Sequence, residues 1–164
     1  MTGWRSAALF YLDNDITRNW FFTNPVLTVN LMPFFRNTKQ LYVCSEQLFY
    51  RIHEEDPKAG NALTASKLMI QLHLTEPDGV VVLNGRSKPM RFHFGTNSEK
   101  PDLTVTLTAD TLHQILLGEL GLRQAMSAKL ITVDGPVIKA MMLAPLFQHS
   151  QQIYPQILRE QGLA

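Results

Sequence analysis

Cysteine is nearly missing from this chain of 164 residues: Cys44 stands alone, which excludes an intramolecular disulfide and a four-thiolate metal site. A reducing, cytoplasmic compartment is therefore expected. An excess of charge of one sign is missing too, because fifteen Lys and Arg face fourteen Asp and Glu for a formal charge of +1, and no basic cluster reaches the density of a nucleic-acid patch. Nucleic acid is not expected as a partner. Long apolar runs are equally scarce: no window approaches the roughly 20 residues of a membrane span, and Met1-Thr2-Gly3-Trp4-Arg5 opens a mixed stretch unlike the apolar core of a secretory signal. Integral membrane association is not expected. Ser66-Lys67-Leu68 matches a peroxisomal address in letters, but that address is read at a C-terminus and this one is internal. No internal repeat or low-complexity tract is visible.

What is present is an apolar fraction of 45%, enough at this length for one ordinary domain with an N-terminal extension. The clearest local pattern lies at Leu68–Leu74, where Leu68, Ile70, Leu72 and Leu74 alternate with Met69, Gln71 and His73 in the two-residue period of a half-buried strand. Glu76-Pro77-Asp78-Gly79 supplies turn chemistry, and Val80–Leu83 reads as a β-branched second strand ending at Asn84-Gly85. Met90, Phe92 and Phe94 alternate with Arg91 and His93 as a third strand. A fourth follows at Asp102–Thr108, where Leu103, Val105 and Leu107 face one way and the threonines the other.

Asp110 is placed to cap a helix carrying Leu112, Ile115, Leu116 and Leu120, broken at Gly118 into two short pieces, the second over Arg123–Ser127. Lys129–Val133 reads as a fifth strand closing at Asp134-Gly135. Pro136 is then expected as the first residue of a last helix whose stripe stacks positions 138, 142 and 146, with Pro145 kinking or ending it. Beyond Gln148, Ile153, Tyr154, Ile157 and Leu158 recur at helical spacing. The first 60 residues hold 11 of the 15 aromatics, including Trp4, Trp20, Phe21, Phe22, Phe34 and Phe35, and a helical ladder Leu41, Cys44, Leu48, Ile52. The spacing of Leu27, Val29 and Leu31 suits a strand.

Chemistry-bearing residues do not assemble into a motif. His53, His73, His93 and His113 recur every 20 residues, and two of them share the polar side of strands, yet no carboxylate or thiolate stands at ligand spacing around them. No metal is expected. Cys44 has no neighbouring base, Glu54-Glu55 end a helix as surface charge, and Gly95–Lys100 lacks the glycines and terminal Gly-Lys-Ser/Thr of a phosphate loop. Neither a cofactor nor enzymatic activity is expected.

One block of letters resembles a known family. Lys100-Pro101-Asp102-Leu103-Thr104-Val105-Thr106-Leu107, then Asp110, Leu112 and Ile115-Leu116-Leu117-Gly118, resembles the threonine-alternating strand and glycine-ended helix of sterol carrier proteins. Ala125-Met126 followed by Lys129-Leu130-Ile131-Thr132-Val133-Asp134-Gly135 is similar to that family's short helix and Lys-Leu-x-x-x-x-Gly strand, with Ala128 where the family often has glycine. The resemblance runs from about Ser66 to Phe147. It implies an α+β fold, a five-stranded, mostly antiparallel sheet covered by helices on one face, with an apolar tunnel between them and no catalysis.

On that reading residues 61–150 are the lipid-binding domain, 1–60 a partly helical extension packing on it or on a dimer partner, and 151–164 a tail of helical spacing. The partner is an apolar small molecule: a fatty acyl chain, a sterol-like molecule or another apolar lipid. Leu112, Ile115, Leu116, Leu120, Met126, Leu130, Ile138, Met141, Met142 and Leu146 are expected to line the tunnel. Flexible thioethers suit ligands of several shapes. A buried tail of about 16 methylenes gains about 13 kcal/mol gross, against association costs of at least about 4. The second reading is an accessory or dimerisation module that delivers a lipid-like substrate to a partner enzyme, with a homodimer formed through the N-terminal extension.

Overall fold

A computed structural model describes residues 32–164. The expectations for Trp4, Trp20–Phe22 and the Leu27–Leu31 strand lie outside the described residues. The elements run α1 (Thr38–Glu55), α2 (Asn61–Ser66), β1 (Met69–Thr75), β2 (Gly79–Asn84), β3 (Arg91–Phe94), β4 (Leu103–Thr108), α3 (Ala109–Leu117), α4 (Leu122–Ser127) and β5 (Ile131–Asp134). After β5 come α5 (Val137–Ala140), a 3-10 turn at Met141–Leu143, and α6 (Ala144–Glu160).

The five strands form one sheet in the order β3-β2-β1-β4-β5. Three neighbouring pairs are antiparallel and one, β1 with β4, is parallel. Register aligns Phe92, Leu83, Ile70 and Leu103 across one face, and Phe94, Val81, Leu72, Val105 and Val133 in the next row. That is the apolar side of the alternation read from Leu68 to Leu74, and all five helix-facing positions Ile70, Leu72, Leu74, Leu103 and Val105 are buried. The other face carries Gln71, His73, Thr104, Thr106 and Thr132. Residues 95–102 return along it, with the Asn97 amide 3.5 Å from the Met69 sulfur and the His93 ring 2.9 Å from the Thr96 carbonyl.

The helices cover the apolar face. In α1 the Asn37 side chain accepts from the Gln40 N–H and caps the helix, while Leu41, Cys44, Leu48, Phe49 and Ile52 point into the core as the ladder requires. Helix α6 packs beside it through Ile153, Tyr154, Ile157 and Leu158. Arg51 and Glu160 form an ion pair across the two helices, and Gln161 donates to Gln47 at 3.2 Å.

Three local expectations are corrected. The cap of α3 is Thr108, whose hydroxyl accepts from the Thr111 N–H at 3.0 Å; Asp110 stands inside the first turn and its carboxylate accepts from the Phe34 N–H at 2.9 Å. Pro145 neither kinks nor ends a helix: it occupies the first turn of α6, where its missing N–H costs nothing. Pro136 precedes α5 as its cap, and the 3-10 turn then rotates the chain so that Ile138 and Leu146 share no stripe. Strand β5 begins two residues later than its letters suggest, because Lys129 takes the left-handed conformation at φ 58°. Gly118 ends α3 at φ 79°, which explains the break seen in the sequence.

Candidate functional site

The sequence-derived set divides by position. Leu112, Ile115, Leu116, Leu120 and Leu146 meet in the core beneath α3 and α6, and half-buried Met126 and Met142 pack against it. Leu116 and Leu112 are each 2% exposed, so they are fully packed against protein. Ile115, Leu120 and Met141 also line a cleft of about 240 Å³ with Phe147. Leu130 and Ile138 are not brought to this group: both are exposed, Ile138 to 80%.

A larger concavity, about 520 Å³, lies at the other side of the helical layer, between the C-terminal end of α1, helix α2 and the approach to β3. Ile52, Met90 and Phe92 give it an apolar floor, and Phe92 is held flat by stacking on Phe49 at a centroid distance of 4.8 Å. Thr64 and Ala65 of α2 form one wall. His53, Asp56, Asn61 and Lys88 stand around it as polar groups. Gly60 lets the Met90 methyl approach, since a Cβ there would stand 2.8 Å from it. The volume falls in the roughly 300–1,000 Å³ range of small-molecule sites, and apolar lining with a few polar groups is their usual composition.

Sequence reasoning missed this groove. Its floor comes from α1 and β3 and its wall from α2, so no single stretch carries the pattern. The one available signal was the run Pro89-Met90-Arg91-Phe92, where apolar residues lead into a strand that ends up at the sheet edge.

A polar cluster lies under the helices. The Tyr154 hydroxyl and His113 Nδ1 are 2.9 Å apart, Phe34 stacks on the imidazole at 3.6 Å, and Phe35 meets it edge-on. Burial pushes the Cys44 thiol up to about 11 and the Tyr154 phenol far above its ordinary value. A thiol held protonated in this way is a core residue and not a nucleophile. Among the described residues no group of three or more His, Cys, Asp or Glu is placed to hold a metal ion.

Burial also lowers the His113 imidazole from 6.5 to about 4, against the Asp110 carboxylate, which favours the charged ring. The unfolded chain takes up this proton near 6.5 and the folded chain only near 4, so stability is lost as pH falls through that window and no more is lost below it. The expected cost is about 2 kcal/mol, discounted for the partial exposure of the ring. Urea midpoints of the wild type and His113→Gln at both ends of the window check this. The wild type should lose more stability on acidification than the variant, and identical losses would refute the assignment.

No helix among the described residues is long and apolar enough to cross a membrane. No curated protein matches the chain. Among solved structures, the apo form of sterol carrier protein 2 from Yarrowia lipolytica is similar at 17% identity and a TM-score of 0.50, covering 62% of this chain and 85% of that one. The sterol carrier protein domain 2 of Helicoverpa armigera is similar at 19% identity and a TM-score of 0.51, covering 70% of this chain and 87% of that one. These likenesses establish the fold: an α+β sheet with helices on one face. The profile of the SCP-2 sterol transfer family matches residues 47–148, from the middle of α1 through the sheet to the first turns of α6, and the chain belongs to that family.

Proposed function

We propose that this protein binds one apolar or amphipathic lipid, without chemistry on it, and carries it between sites. The groove over Ile52, Met90 and Phe92 supports this reading more than any other feature, because it sets an apolar floor and a polar rim side by side in a member of a lipid-transfer family. The polar end of the ligand sits at the rim near His53, Asn61 and Lys88. Its apolar part follows the floor.

Magnitudes decide how far the ligand must penetrate. A groove open on one side that covers about ten methylenes gains about 8 kcal/mol gross, which association costs of at least about 4 reduce to millimolar holding. Micromolar holding needs the rest of an acyl chain between the layers, toward Leu112, Leu116 and Leu146. These residues are therefore proposed to part around the ligand, with Met126, Met141 and Met142 refilling the space when it leaves. Sheet and helices would act as a mould that opens, and the tunnel would exist only when filled.

The test is titration of the full chain with a fluorescent fatty acid, alongside mass spectrometry of lipids extracted from the purified protein. Ala65→Trp places an indole in the groove from an exposed position and is expected to weaken uptake about tenfold, the loss of about 1.4 kcal/mol. Gln148→Trp, on the lining of the smaller cleft, should leave uptake unchanged. Equal uptake by the Ala65→Trp variant, or no uptake by the wild type, would refute the groove.

A further inference from the structure

The strand register gathers one end of the sheet, marked by Met69, Asn84, Arg91, Leu103 and Asp134. Immediately beyond that end, the turn after β5 carries two large aliphatic side chains into solvent: Val137 is 50% exposed and Ile138 80%. They stand at adjacent positions in a four-residue helix introduced by Gly135 and Pro136, so they project from a tight turn and not from a broad surface. Exposed aliphatic pairs of this kind are costly in water unless something covers them.

The charges around them identify the cover. Lys67, Lys88, Arg91, Lys100 and Lys139 stand at this end of the strands, and among the described residues none has a carboxylate within ion-pair distance. The nearby carboxylates are largely engaged. Asp102 accepts from Arg86 at 2.9 Å and from the Met69 N–H at 2.8 Å, and Glu99 lies 3.7 Å from Arg86; Asp134 alone of the three has no such partner. Glu54 and Glu55 end α1 in the helical layer over β2 and β3, on the side of the sheet away from β5. The Ile138 turn therefore sits among free cations although the whole chain is near neutral.

We propose that the Val137–Ile138 turn is a membrane-docking tip that inserts two aliphatic side chains between the headgroups of an anionic bilayer while the surrounding lysines hold the surface. Apolar insertion combined with basic flanks is the pairing that interfacial attachment requires, each lysine near an anionic surface contributing enough to change partition about fivefold. Lys88 and Met90, at the mouth of the groove, lie at the same end of the sheet, so docking there would turn that mouth toward the lipid. This last consequence rests on the ligand-binding reading. The docking itself does not.

Co-sedimentation of the full chain with vesicles tests it, comparing phosphatidylcholine alone with phosphatidylcholine containing phosphatidylserine, at low and high salt. The wild type should partition to the anionic vesicles and be released by salt. Ile138→Asp should weaken partition about tenfold and Lys139→Ala about fivefold. Val137→Ser should act in the same direction as a second variant at an exposed position. Fatty-acid uptake by all three in the absence of vesicles should equal that of the wild type, so loss of docking is separable from loss of ligand binding. Unchanged partition of Ile138→Asp overturns the proposal, as does equal binding to neutral and anionic vesicles. A change of oligomeric state in that variant with partition unchanged would assign the turn to a second copy of the chain and overturn it as well.

Discussion

Tyr154→Ala is expected to destabilise the protein by about 4 kcal/mol, the range for deleting a fully buried aromatic side chain. Tyr154 is 0% exposed and stands where α6 crosses α1 and α3, so the cavity it leaves is walled by three helices that cannot all collapse onto it. The ring carries most of the effect. Tyr154→Phe keeps the ring and removes only the hydroxyl, leaving His113 Nδ1 without its partner at 2.9 Å, a loss of about 1–2 kcal/mol. Denaturant unfolding of both variants separates the two contributions. Equal costs would mean that the hydrogen bond, and not the packing, holds the cluster together. Because ordinary domains are stable by only about 5–15 kcal/mol, the alanine variant should sit near the edge of folding.

Gly85→Ala should cost about 3 kcal/mol for a different reason. A Cβ at this position would stand 2.5 Å from the Leu63 carbonyl oxygen and 2.8 Å from that of Leu68. Both obstacles are backbone, one at the end of α2 and one at the entry to β1, and Gly85 N–H already donates to Leu68 O at 2.8 Å. Nothing flexible can move aside, so the strain is that of overpacking a rigid site. Gly121→Ala is the control, since the nearest atom to its new Cβ is 4.0 Å away. It should change stability by less than about 1 kcal/mol. A Gly85→Ala protein as stable as this control would show that α2 and β1 are not locked together at that corner.

Most of the sheet was legible in the letters because a strand with one buried face writes its period into the chain. Ile70, Leu72 and Leu74, and Leu103, Val105 and Leu107, declare themselves in this way. The Asn84-Gly85 turn and the break at Gly118 were legible for the same kind of reason: backbone geometry there admits few residues. What escaped was set by partners distant in sequence. Asp110 has the chemistry of a cap, but Phe34, 76 residues away, takes its carboxylate and leaves capping to Thr108. Ile138 and Leu146 fit a helical period that the 3-10 turn at Met141–Leu143 interrupts, and nothing in Met-Met-Leu announces that turn. The groove was illegible because it is a gap between three elements, and a gap has no residues of its own.

Helices α1 and α6 cover one another although about a hundred residues separate Arg51 from Glu160 and Gln47 from Gln161. For a chain made from its N-terminal end, this has a consequence in time. The apolar ladder of α1 emerges before any strand that shields it, and its other flank stays bare until α6 is complete. Every sheet pairing can form before that moment; closure of the core cannot. Synthesis of this protein therefore passes through a stage in which the sheet is assembled and Leu41, Leu48 and Ile52 still face the cell, which makes the residues of α6 the point at which a nascent chain stops needing protection.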